Sequence, residues 1–435
     1  MTSEPGAEPA GSTTVRLAGG SRPRKLRRTI SGVMAVVVAA VAGWVWFGRM
    51  SIPLPAGVTQ QDYDRVAQRL QRTSSQSVDR DAVYFRLGIE QTSHQKWQTA
   101  AALFASIDPL RSHHGREARY LQAQSVLQQD RLRESERLFR EYLADAPTVG
   151  KHPWPTQPSR EDRIQAWHYL SYLMAVELRF EERQSLLAEL VKSGDADLFD
   201  TLACHFQSLM EWNNTHGIER LESACRVSPE DWQLQAVLGQ YRIAQGRSEE
   251  ARQLLTVCHE KLPSDLIITA ACLTCLHELG DDEAYLKMAS GLPPMDDDEP
   301  LELLRHRGEV MLLQDRPADA EICFLQAITR DPANVVCRLG YAKALLALNR
   351  IEQRTRELSA VQNLVRIQNR LGWATSKSPP PDVLLEIARL SRDAGLTEAA
   401  TDLCRVAIRL VDDRAPFELV LRELASPKLE GGGTP

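Results

Sequence analysis

The sequence predicts an all-α solenoid of stacked helix-turn-helix units behind one N-terminal transmembrane helix. Three observations predict it. Small, large and proline residues recur at fixed positions with a period near 34 residues. An uncharged 20-residue stretch, Thr29 to Gly48, follows a basic cluster. The composition is rich in the helix formers Leu, Ala, Arg, Glu and Gln, with only 6% aromatic residues. At 435 residues the chain exceeds what one compact core usually holds, which suits an elongated array.

Residues 1–28 predict a disordered, basic cytoplasmic tail, because Gly, Pro, Ser, Thr and Ala dominate its first 21 positions. Residues 29–48, "TISGVMAVVVAAVAGWVWFG", read as a transmembrane signal anchor. As a helix this stretch spans about 30 Å, enough to cross the hydrocarbon layer. Trp44, Trp46 and Phe47 stand at its far end, where amphipathic rings favour the interface. Arg22, Arg24, Lys25, Arg27 and Arg28 precede it, and after Arg49 no base occurs until Arg65. The positive-inside rule then puts the N-terminus in the cytoplasm and the rest on the periplasmic or exoplasmic side of the inner membrane. "AVA" at 40–42 before Gly43 offers a signal-peptide cleavage site. The apolar run continues past it, which favours the anchor.

Residues 49–80 read as a linker, stiffened by Pro53 and Pro55, with a leading helix over 59–72. The repeat is clearest in "LELLRHRGEVMLLQDRPADAEICFLQAITRDPAN". With Leu301 as position 1, Gly308 is position 8, Ala320 is 20, Phe324 is 24, Ala327 is 27 and Pro332 is 32. The first helix should end near Leu313 and the second near Arg330, because proline removes a donor and clashes with the preceding turn. Small residues at 8 and 20 let the two helices approach. The large residue at 24 fills the gap toward the next hairpin.

This spacing resembles the tetratricopeptide repeat (TPR) family, whose unit is a 34-residue helix-turn-helix. The lattice recurs. A unit from Asp81 has Leu87-Gly88, Ala100 and Phe104; one from Arg116 has Ala123, Ser135, Phe139 and Pro147. A unit from Ile164 has Trp167, Leu170 and Leu187; one from Leu198 keeps Leu221, Ala224 and Pro229. A unit from Trp232 has Gly239, Ala251, Leu255 and Pro263; one from Pro381 has Leu384, Ala388, Ala400, Cys404 and Ala407. Units from 266 and 335 are placed by phase more than by residues. The expected organisation is first TPR-like units over 81–147, a Pro-rich insertion over 148–163, and the main array over 164–370. A linker over 371–380, a last unit with capping helix over 381–427, and a frayed tail over 428–435 complete it.

The resemblance implies a superhelix whose first-helix positions 2, 5, 9 and 12 line a concave, partner-binding face. Here they include Gln165, His168 and Tyr172; Gln233 and Gln240; Glu302, Arg305 and Glu309; and Lys343. The Lys and Asn that clamp terminal carboxylates in chaperone-tail TPR domains are nearly absent. The resemblance is to the membrane-anchored bacterial type, and it implies a non-enzymatic scaffold for a protein or peptide partner, in assembly or maturation of envelope complexes.

Composition and motifs exclude several other classes. Residues 1–50 carry seven Lys or Arg and two acids, whereas the remainder carries 45 bases and 56 acids, which argues against a nucleic-acid binder. No phosphate-binding loop, nucleophile elbow or zinc-protease motif occurs. "MDDDEP" at 295–300 lacks the Gly and terminal Glu of a calcium loop, and His113-His114 has no partner spacing. The eight cysteines fall near core positions and read as buried small apolar residues. Cys272 and Cys275 are spaced as a CxxC but sit mid-helix without a second ligand pair. They keep open an alternative, an exported thiol-active or metal-handling enzyme. No catalytic residue, metal or cofactor is expected otherwise.

Overall fold

A computed structural model describes residues 54–72, 79–109, 111–144, 157–210, 215–296 and 298–426. The tail 1–28, the apolar segment 29–48, positions 148–156 of the proline-rich insertion and the tail 428–435 lie outside the described residues. Among the described residues, no helix is long and apolar enough to cross a membrane.

The described residues form an all-α helical-repeat solenoid of twenty α-helices. The leading helix α1 is Gln60–Gln71. Hairpins follow as α2 (Arg80–Ser93) with α3 (Trp97–Ala105), α4 (Gly115–Leu127) with α5 (Leu132–Leu143), and α6 (Arg160–Val176) with α7 (Phe180–Ser193). Next come α8 (Leu198–Phe206), a single 3-10 turn at Gln207–Leu209, and α9 (Thr215–Val227). The array resumes as α10 (Trp232–Ala244) with α11 (Ser248–Lys261), α12 (Leu266–Leu279) with α13 (Asp282–Ser290), and α14 (Leu301–Leu313) with α15 (Pro317–Arg330). It ends with α16 (Val335–Ala347) and α17 (Ile351–Ala374), α18 (Pro381–Asp393) and α19 (Thr397–Leu410), and the cap α20 (Ala415–Ala425).

The backbone carries the register of the repeat. Position 15 of the units from 81, 116, 164, 232, 266, 301, 335 and 381 falls on Gln95, Asp130, Leu178, Gly246, Gly280, Asp315, Asn349 and Gly395. Each of these residues has a positive φ between 53° and 80°. One left-handed residue reverses the chain between the two helices of every such hairpin. The units from 266 and 335, placed by phase, obey it too.

Packing follows the small-large rule. A Cβ on Gly308 would lie 2.6 Å from the Phe324 ring, and one on Gly340 would lie 2.4 Å from it. Phe324 is therefore clamped between its own hairpin and the first helix of the next. The same approach is made by Gly88 to Phe104 and by Gly239 to Leu255. Where sizes are exchanged, the core compensates. The unit from 266 has Leu273 at position 8, Tyr285 at 20 and Ala289 at 24, all buried.

One unit departs from the lattice. The pair of helices expected from Leu198, α8 and α9, does not pack together as the other pairs do. Helix α9 lies on α6 and α10, while α8 lies on α7 and docks onto α19. Position 20 of the preceding unit explains part of this. It holds a buried arginine, Arg183, where the lattice wants a small residue. Its guanidinium donates to Ser171 Oγ (2.9 Å) and to Gln207 Oε1 (3.1 Å), tying α7 to the 3-10 turn.

The docking closes the array on itself. Leu202, Phe206 and Leu209 share one core with Leu364, Ile367 and Leu403 of α17 and α19. Arg409 donates to the carbonyls of Gly194 and Ala196 at 3.0 Å each. His205 Nε2 lies 3.1 Å from Asp402 Oδ2. Arg330 pairs with Glu181. Helix α17 also runs to Ala374, past the start expected for the linker at 371, because Leu371 and Ala374 are buried in this same core.

Candidate partner-binding face

First helices of successive units lie side by side, with α10 against α12, α12 against α14 and α14 against α16. Their positions 2, 5, 9 and 12 therefore form one continuous face from α10 to α16, with α6 outside it. The residues expected there have different fates. On α6, Gln165 accepts from the Tyr120 hydroxyl at 3.1 Å. His168 lies 2.9 Å from Asp200 of α8, and the Arg220 guanidinium covers the Tyr172 ring at 5.9 Å. On α10, Gln233 is exposed and donates to Asp265 at 2.8 Å, while Gln240 is half-buried.

On α14 the expected contacts are largely used internally. Arg305 is only 9% exposed and bonds Glu302 (2.8 Å) and Glu309 (3.0 Å). It also lies 3.0 Å from Nε2 of the fully buried His306. Since a guanidinium can only donate, that nitrogen accepts, and the ring proton sits on Nδ1, 3.1 Å from the Tyr285 hydroxyl. Burial pushes the His306 pKa down, with Arg305 adding to the effect and Glu309 opposing it. For Glu309, burial works upward but the bonds from His306 and Arg305 outweigh it, leaving about 2. This network links α12, α13 and α14 and leaves Glu302 as the outward-facing acid.

Helix α16 is open. Val336, Leu339 and Leu346 are 54%, 39% and 49% exposed, and the exposed Lys343 lies in the same row. They occupy positions 2, 5, 12 and 9. The sequence reading selected only Lys343. The same positional rule names the other three.

His168 also shares a cluster with Asp197 and Asp200, whose ligand atoms lie within 4.8 Å of one another. The two carboxylates already form the capping box of α8, and a helix N-terminus opposes a cation. The bond to Asp200 raises the His168 pKa, against the opposing effect of burial.

All eight cysteines are free and buried, as small core residues would be. Cys272 and Cys275 lie within α12 and their thiols point at the Leu255 and Ser248 carbonyls, at 3.6 and 3.3 Å. Burial pushes Cys272 up to about 12 and Cys275 upward as well. A reactive thiol needs the opposite shift, so this geometry lends nothing to the thiol-enzyme alternative.

No family model and no curated protein matches the chain. Among solved structures, a tetratricopeptide repeat protein from Parabacteroides merdae is 16% identical, over 58% of this chain and 99% of that one, with a TM-score of 0.26. The human IFIT1 dimer with PPP-AAAA is 11% identical over 77% of this chain and 91% of that one, at 0.33. The TPR domain of P58(IPK) is 15% identical over 84% and 93%, at 0.23. At TM-scores this low the fold rests on the hairpins described above, and nothing about partners follows from these neighbours.

Proposed function

We propose that this chain is a non-catalytic scaffold that binds a partner protein on the open face of α16. The observation that carries this reading is the row Val336, Leu339, Lys343 and Leu346, at helical spacing and left uncovered. Exposed apolar residues rimmed by charge mark interaction sites, and this spacing suits an apolar segment laid along the helix. In the same proposal, residues 29–48 anchor the scaffold in the inner membrane with the repeats on the outer side. The bases at 22–28 support that orientation. The partner would then be an envelope protein awaiting assembly or maturation.

Crosslinking in the native cells, followed by mass spectrometry, tests this. Envelope proteins captured by the wild type should be lost from a Leu339→Asp, Leu346→Asp variant and kept by Gln353→Asp on the exposed side of α17. An identical catch from all three would overturn the binding face. A reporter fused after residue 50 tests the topology: activity confined to the cytoplasm would overturn the outward orientation.

A further inference from the structure

A cleft of about 730 Å³ opens between α11, α12 and α13, away from the α16 face. Its origin is a local defect in the repeat. Helix α13 has 9 residues, whereas α11 and α15 have 14. The missing turns are replaced by Gly291, Leu292 and Pro293, and position 24 holds Ala289 instead of a large residue. The space a full second helix would fill is left empty. It runs along α11 from Arg252 to Glu260, about 12 Å at the helical rise, and on to Pro263 beyond the helix end.

The trough is apolar. Leu255, Leu266, Cys272, Leu276, Met288 and Leu292 line it. Its charges are polarised. Arg252 and Lys287 are positions 21 and 22 of successive units, so they stand at the same level, Arg252 near the start of α11 and Lys287 in the last turn of the short α13. Arg252 is 45% exposed and reaches Asp281 only at 3.5 Å; Lys287 is exposed and has no carboxylate partner among the described residues. The acid of the lining, Glu260, lies two turns away at the other end. His259 sits beside it with its buried Nδ1 unbonded.

We propose that this cleft binds a single-chain amphiphile with an anionic head, a fatty-acid carboxylate, with the head between Arg252 and Lys287 and the chain along the trough. The volume falls in the range of small-molecule sites. Apolar walls account for the chain, and the cationic end fixes its direction. A cationic amphiphile of the same length would meet like charge at Arg252 and Lys287. A peptide segment would bring a backbone donor and acceptor at every residue into a trough whose walls are mainly apolar.

The probe is a dodecanoate carrying a photoreactive diazirine, added to the full-length chain in zwitterionic nanodiscs and mapped by mass spectrometry. Adducts are expected within residues 252–293, displaced by dodecanoate and not by dodecyltrimethylammonium. Arg252→Glu with Lys287→Glu, both at exposed positions, should cut labelling at least tenfold while leaving the helical circular dichroism unchanged. Cys272→Phe should abolish labelling by filling the trough. Labelling indifferent to the two charge reversals, equal displacement by the cationic amphiphile, or adducts spread over the solenoid would each overturn the proposal. If the filled variant fails to fold, the charge-reversal variant still decides. Binding here is independent of the α16 face, so partner capture should survive its loss.

Discussion

Phe324 shows how tightly single side chains are specified. Its ring is fully buried between Gly308 of its own hairpin and Gly340 of the next. Gly308→Ala and Gly340→Ala should each destabilise the protein by about 1–3 kcal/mol through overpacking, even though alanine favours the helix by about 1 kcal/mol. Urea unfolding measures this, and Phe324→Leu in the Gly308→Ala background should recover part of the loss. An unchanged midpoint would show that the ring yields. His306 gives a pH signature of definite sign. Folded, its pKa lies below the ordinary 6.5. The unfolded chain therefore binds more protons on acidification, and stability falls as pH drops through 6.5 toward the lower folded value. The raised pKa of His168 works the other way: its contribution is full below 6.5 and fades as pH rises through the folded value. Unfolding curves at pH 5, 6 and 7.5 should therefore flatten in His306→Gln and steepen in His168→Gln. Parallel curves for wild type and both variants would refute the assignment.

At the scale of the element, the hairpin turn is the most regular feature. Gly246 has φ +74° and nothing near its missing Cβ, so Gly246→Ala should cost about 1 kcal/mol from backbone strain alone. A neutral result would mean that the turn can relax. Much of this layer was legible in the sequence. Position 8 against position 24, proline at 32 and the capping helix at 415–425 all follow from local sterics, and local sterics are written in adjacent residues. Other features were not legible, for equally physical reasons. The left-handed turn residue is Gly in three units but Gln, Asp, Leu or Asn in the others, so composition hides it. The internal bonding of Arg305 depends on His306, Tyr285 and Thr274, drawn from three helices. The docking of α8 depends on residues some 200 positions away, which no periodicity can register.

At the scale of the whole molecule, closure changes how the protein should come apart. An open repeat array unfolds from its ends, because each unit touches only its neighbours. Here the C-terminal hairpin covers Leu202, Phe206 and Leu209 in the middle of the chain. Removing residues 381–426 should therefore raise amide exchange in α7 and α8 as well as in α17, while α2 to α5 keep their protection. Exchange confined to the new end would refute the coupling.

The same docking sets a schedule for synthesis. When α8 leaves the ribosome, Leu403 and Asp402, which will cover it, are still about 200 codons from being read. At 5–20 residues per second the wait is on the order of 10–40 s. For that interval the nascent chain displays the apolar side of α8 that α19 will cover, although α2 to α7 can already fold behind it. Slowing translation after codon 210 lengthens this window, and speeding the downstream half shortens it. Synonymous codon choice between positions 210 and 403 should thus alter the yield of soluble protein without altering a single residue.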